Sequence, residues 1–471
     1  MANKLSQHAL KDVAALVHGY TDLSAIQESG PLIITRGEGI NIFDESGKSY
    51  IEAASGMWCT ALGFSEQELV DAATEQMQKL PYYHTLAARS VNPAIELAEK
   101  LTALVPIDNA HIHLAVSGSE ANDFLIKFLW YCSNVRGTPK RKKVISRRGA
   151  YHGATIVAAS LTGLEKNHQG FDIPLPGFLH TSDPHFYHRG LPGESEDAFV
   201  DRLVEDLDQL ILIEGPDTIM AFMAEPVTGG GGVVIPPKGY YQKVQALLKS
   251  YGILFLADEV ITGFGRTGTM FGCESMDIQP DAMTMGKALS SAYQPISAIA
   301  LSEEIYQTLV KGSDQNGNYF GHGATYSGHP VAAAVALKVL EIFERRNLLN
   351  HVKEMTVYFA ERIRSYMQHP LVGDVRQIGL LGAVELVADK TSRQFFDPVG
   401  VVSSHLKKCC EKHGLVVRTI QAGDAVAFCP PLIINEAEID EMFARFDLAL
   451  ANTTQWVEQQ GALKSGKKLR V

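Results

Sequence analysis

Ile253-Leu254-Phe255-Leu256-Ala257-Asp258-Glu259 decides the fold: five apolar residues that end abruptly in an acidic pair. A run of that length bounded by polar residues reads as a buried strand of a parallel sheet, with its acids at the carboxyl end. A second run, Asp281-Ala282-Met283-Thr284-Met285, ends in Gly286-Lys287-Ala288-Leu289. Ligands of open α/β sheets bind outside the carboxyl ends of the strands. Asp258 and Lys287 are therefore expected to meet at the tops of neighbouring strands.

Such a pair suggests a particular chemistry. A lysine among apolar neighbours can shed its proton and form a Schiff base with a carbonyl. A carboxylate beside it suits a protonated pyridine nitrogen, and the two together suit pyridoxal phosphate (PLP). Two nucleotide readings compete. Leu254 to Glu259 looks like a Walker B strand and Gly47-Lys48-Ser49 like the end of a Walker A loop, but Ile42 stands where that loop needs glycine. Gly263-Phe264-Gly265-Arg266-Thr267-Gly268 is formally a dinucleotide fingerprint, yet Thr269-Met270-Phe271-Gly272 does not open a periodic helix. Both fail on context.

Composition narrows the class. A chain of 471 residues, 46% hydrophobic, exceeds one average domain. Its net charge of −11 argues against nucleic-acid or anionic-membrane partners. No apolar run reaches membrane-spanning length. The amino terminus lacks a signal pattern, and the six cysteines lack C-x-x-C spacing, so the cytoplasm is expected. His180, His185 and His188 cluster in a Pro-rich loop without a metal-binding helix pattern and read as structural, with no metal.

Working outward, the alternation over 32–54 predicts short strands around the turn at 44–48. Helices are expected at 66–80, 92–104, 199–213, 239–251 and 331–346, and strands at 110–116, 143–147 and 218–224. Ser117-Gly118-Ser119-Glu120-Ala121-Asn122 reads as a loop feeding a helix over 123–132, either an anion site or an ordinary serine cap. Gly229 to Gly232 either lets backbone approach something closely or is merely flexible, and Trp58 is either a core plug or a pocket wall. Residues 163–195 read as one long loop. Helices at 353–366 and 401–413, with strands at 380–386, 415–418 and 425–428, suggest a smaller α+β domain. The basic tail 463–471 is expected to fray. The whole reads as an α/β protein with a largely parallel sheet.

These strings together identify a resemblance. Ser117 to Asp123, Tyr151-His152-Gly153, Ala224-Glu225-Pro226, Asp258 to Gly268, Gly286-Lys287 and Thr325-Tyr326-Ser327-Gly328-His329-Pro330 resemble, in order and spacing, the class III aminotransferases of the ω-amine:pyruvate type. The likeness implies PLP fold type I, with a large PLP-binding domain over 61–328 and a smaller domain built from 1–60 and 329–471. It implies that Lys287 carries PLP and shuttles a proton, and that Asp258 pairs with the ring nitrogen. Tyr151 would stack on one ring face and Val260 pack on the other; His152 and Glu225 would complete the cofactor site. Gly118 and Ser119 would bind the phosphate, with Thr325 supplied by the second subunit of a homodimer. Trp58 would wall the substrate pocket with Tyr151, and Arg418 would clamp a carboxylate, a task that suits a guanidinium fork.

The chain departs from the family pattern at two places. It has Leu86 and Ala87 after Tyr83-His84-Thr85 where relatives often carry an aromatic pair, and Ala324 where they often have phenylalanine. Both changes imply a wider pocket, open to bulky or long amines. The expected activity is transfer of an amino group from a primary amine or ω-amino acid to a keto acid such as pyruvate. The alternative is a same-fold PLP aminomutase or decarboxylating aminotransferase. A non-catalytic PLP-binding regulator would carry a fused DNA-binding domain, which this acidic chain lacks. Whether dimers pair into tetramers is left open.

Overall fold

The computed structural model describes residues 5–420 and 423–460; the tail 463–471 lies outside them. Seven strands form the central sheet, in the order His111–Ala115, Ser297–Leu301, Ala282–Met285, Leu254–Asp258, Ile219–Ala224, Lys143–Arg147, Phe178–Thr181. Ser297–Leu301 pairs antiparallel with both its neighbours, and the other pairings are parallel. Every residue of Ile219–Ala224 is buried, and Leu254–Asp258 is nearly so. Each large aliphatic side chain removed from water there contributes about 1.5–3 kcal/mol. Strands sealed on both faces leave only their ends for polar chemistry, so Asp258 sits where the apolar run stops.

Two four-stranded sheets flank this core. One joins Ile34–Glu38, Asn41–Asp44 and Ser49–Glu52 to Leu415–Val416, a parallel partner from the far end of the chain. The other is antiparallel, in the order Val372–Ile378, Leu381–Leu386, Asp424–Phe428, Arg418–Ile420. The stretch 415–418, expected to be one strand, thus splits at Val417 between two sheets. The backbone N–H of Ala53 donates to the Val416 carbonyl at 2.9 Å, whereas Arg418 registers with Ala427. Alternating side chains look the same whether a strand stays in its sheet or leaves it. The split puts Arg418 at the joint.

Other differences have equally local causes. The helix expected from residue 123 begins at Gly118, because Ser117 Oγ accepts the Glu120 N–H (3.2 Å) and Glu120 Oε2 accepts the Val116 N–H (2.7 Å). The loop at 163–195 contains the edge strand Phe178–Thr181 and the short helix Phe186–Arg189. Strands Ser297–Leu301 and Val372–Ile378 and helices Glu303–Gln315 and Glu436–Gln459 were not anticipated. The last has a full capping box, Asn435 with Glu438. None of the described helices is long and apolar enough to cross a membrane.

Candidate active site

Asp258 and Lys287 do meet. Leu254–Asp258 and Ala282–Met285 are adjacent parallel strands with Asp258 opposite Thr284, and Lys287 follows two residues beyond its strand. The Lys287 backbone is left-handed, φ 48°, at a cost of about 1–2 kcal/mol for a residue with a Cβ. Strain of this kind collects where a side chain must be aimed. Lys287 is half-buried because it lines two adjoining cavities. Loss of hydration lowers its pKa below the ordinary lysine value, against the pull of Cys59, Asp258 and Glu225. The shift favours the neutral, nucleophilic form of the amine.

The acid is held from several sides. Asp258 Oδ2 accepts from Asn122 Nδ2 (3.0 Å) and stands 2.8 Å from His152 Nδ1; Oδ1 accepts the Val260 N–H at 3.1 Å. Asn122 also donates to the His152 carbonyl (2.6 Å) and accepts from Thr284 Oγ1 (2.8 Å). Sequence reasoning gave Asn122 no role. It is fully buried, which is costly unless its polar atoms are paired, as they are here. Glu225 is buried alongside and accepts the N–H groups of Tyr151 (3.0 Å) and Gly229 (2.9 Å). Burial raises its pKa, with His152 opposing and Asp258 reinforcing the rise.

Opposite this acid pair, helix Gly118–Val135 points its amino end into a cavity of about 390 Å³. The first-turn N–H groups of Gly118 and Ser119 have no intrahelical acceptor and face the positive end of the helix dipole. A Cβ on Gly118 would lie 2.9 Å from Val260 Cγ1, so glycine lets this backbone reach the cavity. Ser119 Oγ accepts the Ala154 N–H at 3.0 Å, tying the helix start to the Tyr151-His152-Gly153 loop. An amine, a carboxylate, a helix amino end and an aromatic ring therefore surround one space. That donor set fits PLP, whose aldehyde, ring nitrogen, phosphate and ring face need these four groups.

A second cavity, about 580 Å³, opens from the first and shares Cys59, Tyr151, Ile261 and Lys287 with it. Trp58 is buried against its wall with a left-handed backbone, so it is both core plug and pocket wall. Arg418 lines the same space. Its Nη1 donates to Met57 Sδ at 3.0 Å, and its buried Nε has no partner among the described residues. Desolvation lowers its pKa, with Tyr151 and Tyr20 opposing. Tyr20 and Cys59, which also line the channel, went unread; nothing in their local sequence marks them.

Leu86, Ala87, Ala324 and Thr325 line neither cavity. They lie together in two mutually packed loops, Leu86 against Gly323, with Tyr82 Oη donating to the Thr325 carbonyl at 2.8 Å. Thr325 and Ala87 are exposed. The glycine-rich string 263–268 serves structure: Glu259 accepts the N–H groups of Gly272 and Cys273, and buried Arg266 donates to the carbonyls of Leu380 and Pro430. His185 and His188 come within metal-ligand reach of Glu385. A guanidinium already fills that space, with Arg376 Nη1 2.5 Å from Glu385 Oε2 and 3.1 Å from His185 Nε2.

Known proteins match this geometry. The family model for aminotransferase class-III matches residues 24–450. The chain is 46% identical to the γ-aminobutyrate transaminase 3 of Solanum lycopersicum, described as chloroplastic, over 93% of this chain and 84% of that protein. A crystal structure of the ω-transaminase of Pseudomonas jessenii in complex with PMP superposes with a TM-score of 0.94 at 48% identity, covering 96% of this chain and 99% of that one. A transaminase solved with L-alanine gives a TM-score of 0.88 at 50% identity, over 90% and 99%.

Proposed function

The chain belongs to the class III aminotransferases, PLP enzymes that move amino groups from amines to keto acids, and from that premise we propose that it takes a primary amine or ω-amino acid as donor and a keto acid such as pyruvate as acceptor. The observation that carries this is Arg418: a cation beside the channel, hydrogen-bonded to a thioether, with its buried Nε lacking a partner among the described residues. A guanidinium left in that state suits a substrate carboxylate that arrives in one half-reaction and not in the other. The relative solved with L-alanine, the amination product of pyruvate, supports that acceptor.

When bound, PLP supplies an aldehyde that condenses with amines and an electron-poor ring that accepts the electron pair left at the substrate carbon. The chain's residues would do the rest. Lys287 Nζ would hold the cofactor covalently and, once displaced by substrate, carry the proton to and from the amino-bearing carbon. Asp258, fixed by His152 and Asn122, would keep the ring nitrogen protonated. Gly118 and Ser119 would hold the phosphate, and Tyr151 and Val260 would confine the ring. Trp58 and Arg418 would sort substrates by size and charge.

The exposed pair of loops carrying Leu86, Ala87, Ala324 and Thr325 supports a homodimer in which each copy completes the other's site; tetramers are compatible with it. The same reading divides the chain into a PLP-binding unit, 61–328, and a smaller unit from 1–60 and 329–471. The six free thiols support a reducing compartment, and the cytoplasm is the proposed one.

The test is the visible absorption of the purified protein. A yellow band that bleaches with a primary amine and returns with pyruvate is the expected result. A band that never bleaches favours the aminomutase or decarboxylating alternative.

A further inference from the structure

The four glycines 229–232 form a loop closed at its base by the bridge Thr228–Val234, with paired hydrogen bonds of 2.9 and 3.0 Å. One face lies on the Tyr151 loop: a Cβ on Gly230 would stand 3.1 Å from Tyr151 Cβ, and one on Gly231 would stand 2.0 Å from the Gly149 carbonyl. Buried Arg147 pins the base, donating to the Glu225 carbonyl (2.7 Å) and Thr228 Oγ1 (3.0 Å). The tip is pinned from elsewhere. Arg376, buried on strand Val372–Ile378 of the antiparallel sheet, donates from Nε to the Gly232 carbonyl at 2.9 Å. Its Nη1 is anchored by Asp374 (2.6 Å) and Glu385 (2.5 Å), and Glu385 is braced by His188.

We propose that Arg376 is a positioning residue for the cofactor site: it grips the tip of the four-glycine loop and thereby holds that loop against Tyr151. Four successive glycines have no side chains with which to order themselves and lose more backbone entropy on folding than other residues. The loop keeps one conformation because both ends are tied, and Tyr151 is confined between it and the cavity. A single N–H···O bond from outside the central sheet thus reaches the ring proposed to stack on PLP. The inference rests on that proposed role of Tyr151.

Arg376→Lys tests it, since lysine keeps a cation for Asp374 and Glu385 but lacks the Nε donor beside the fork. Three quantities are read: melting temperature, amide hydrogen exchange of residues 229–233, and PLP dissociation from the holoenzyme. The expected result is a nearly unchanged melting temperature, exchange at 229–233 faster by about tenfold or more, and a Kd for PLP raised about tenfold, which equals about 1.4 kcal/mol. Wild-type exchange at these amides, or fast exchange with an unchanged Kd, overturns the proposal. If Arg376→Lys does not fold, the double variant Arg376→Gln/Glu385→Gln, which removes the guanidinium and one of its two carboxylates, is read for exchange and Kd alone, with a lowered melting temperature expected. Failure of the transaminase reading would appear in the wild-type spectrum, whereas failure of this one appears only in the variant.

Discussion

Two clusters of buried charge flank the four-glycine loop, and they differ in how completely they satisfy themselves. Around Arg376 the groups pair off: Asp374 and Glu385 share the guanidinium, and His188 hydrogen-bonds Glu385. Around Lys287 the partners are incomplete. Among the described residues Lys287 has no ion pair within 4 Å, His152 Nε2 is buried without a partner, and Glu225 spends its oxygens on backbone N–H groups. Burying charge without full pairing is costly, so the unfinished cluster is the one built to receive something. The finished one holds structure in place.

Breaking the unfinished cluster should abolish chemistry and leave the fold standing. Lys287→Ala is expected to lower turnover by about 10⁴-fold or more while PLP binds only non-covalently; stopped-flow kinetics and gel filtration of the coloured protein check both. Asp258→Asn removes the charge proposed to face the ring nitrogen and should reduce the amine half-reaction by about 10²–10³-fold, the scale of one lost electrostatic stabiliser. Single-turnover rates decide it.

Removing the Glu385 carboxylate from the finished cluster should instead cost stability. Burial pushes the Glu385 carboxyl up, but Arg376 and His188 outweigh it and hold the pKa at about 2; Asp374 is likewise held at about 2. Folded-state values below the unfolded ones mean that the stabilisation is present above about pH 4.5 and is lost as pH falls towards 2. Glu385→Gln should cost about 3 kcal/mol at neutral pH and flatten the acid limb of a urea-denaturation profile between about pH 5 and 2. An unchanged acid limb would remove Glu385 from the account.

The channel sharpens the comparison at smaller scale. Arg418→Leu should raise KM for pyruvate by about 10–100-fold, the value of a charge-assisted pair, and leave an uncharged amine's half-reaction nearly unaltered. Smallest is Ala324→Phe, expected to slow bulky aryl-alkyl amines about 5–10-fold relative to small ones. If the unaltered enzyme already turns over small aliphatic amines far better than aryl-alkyl ones, the wide-pocket expectation is wrong.

What could be read from the chain alone follows the same division. Asp258 and Lys287 were legible because apolar runs end at them, and a parallel sheet puts strand ends on one edge. The Tyr151 loop and the Gly118 helix start carried local signals of turn and cap. Asn122, Tyr20 and Cys59 reach the site through tertiary packing, which leaves no periodic trace. Arg376 was silent for the same reason: its partners Gly232 and Glu385 lie on separate elements, and strand Val372–Ile378 itself was missed. The His185–His188 pair was visible, but the guanidinium between its carboxylates was not.

The most direct test of the central claim is borohydride reduction of the purified holoenzyme followed by proteolysis and mass spectrometry. The expected result is a phosphopyridoxyl mass on the peptide containing Lys287 and on no other. A label on a different lysine, or none on a protein that still holds PLP, would contradict it.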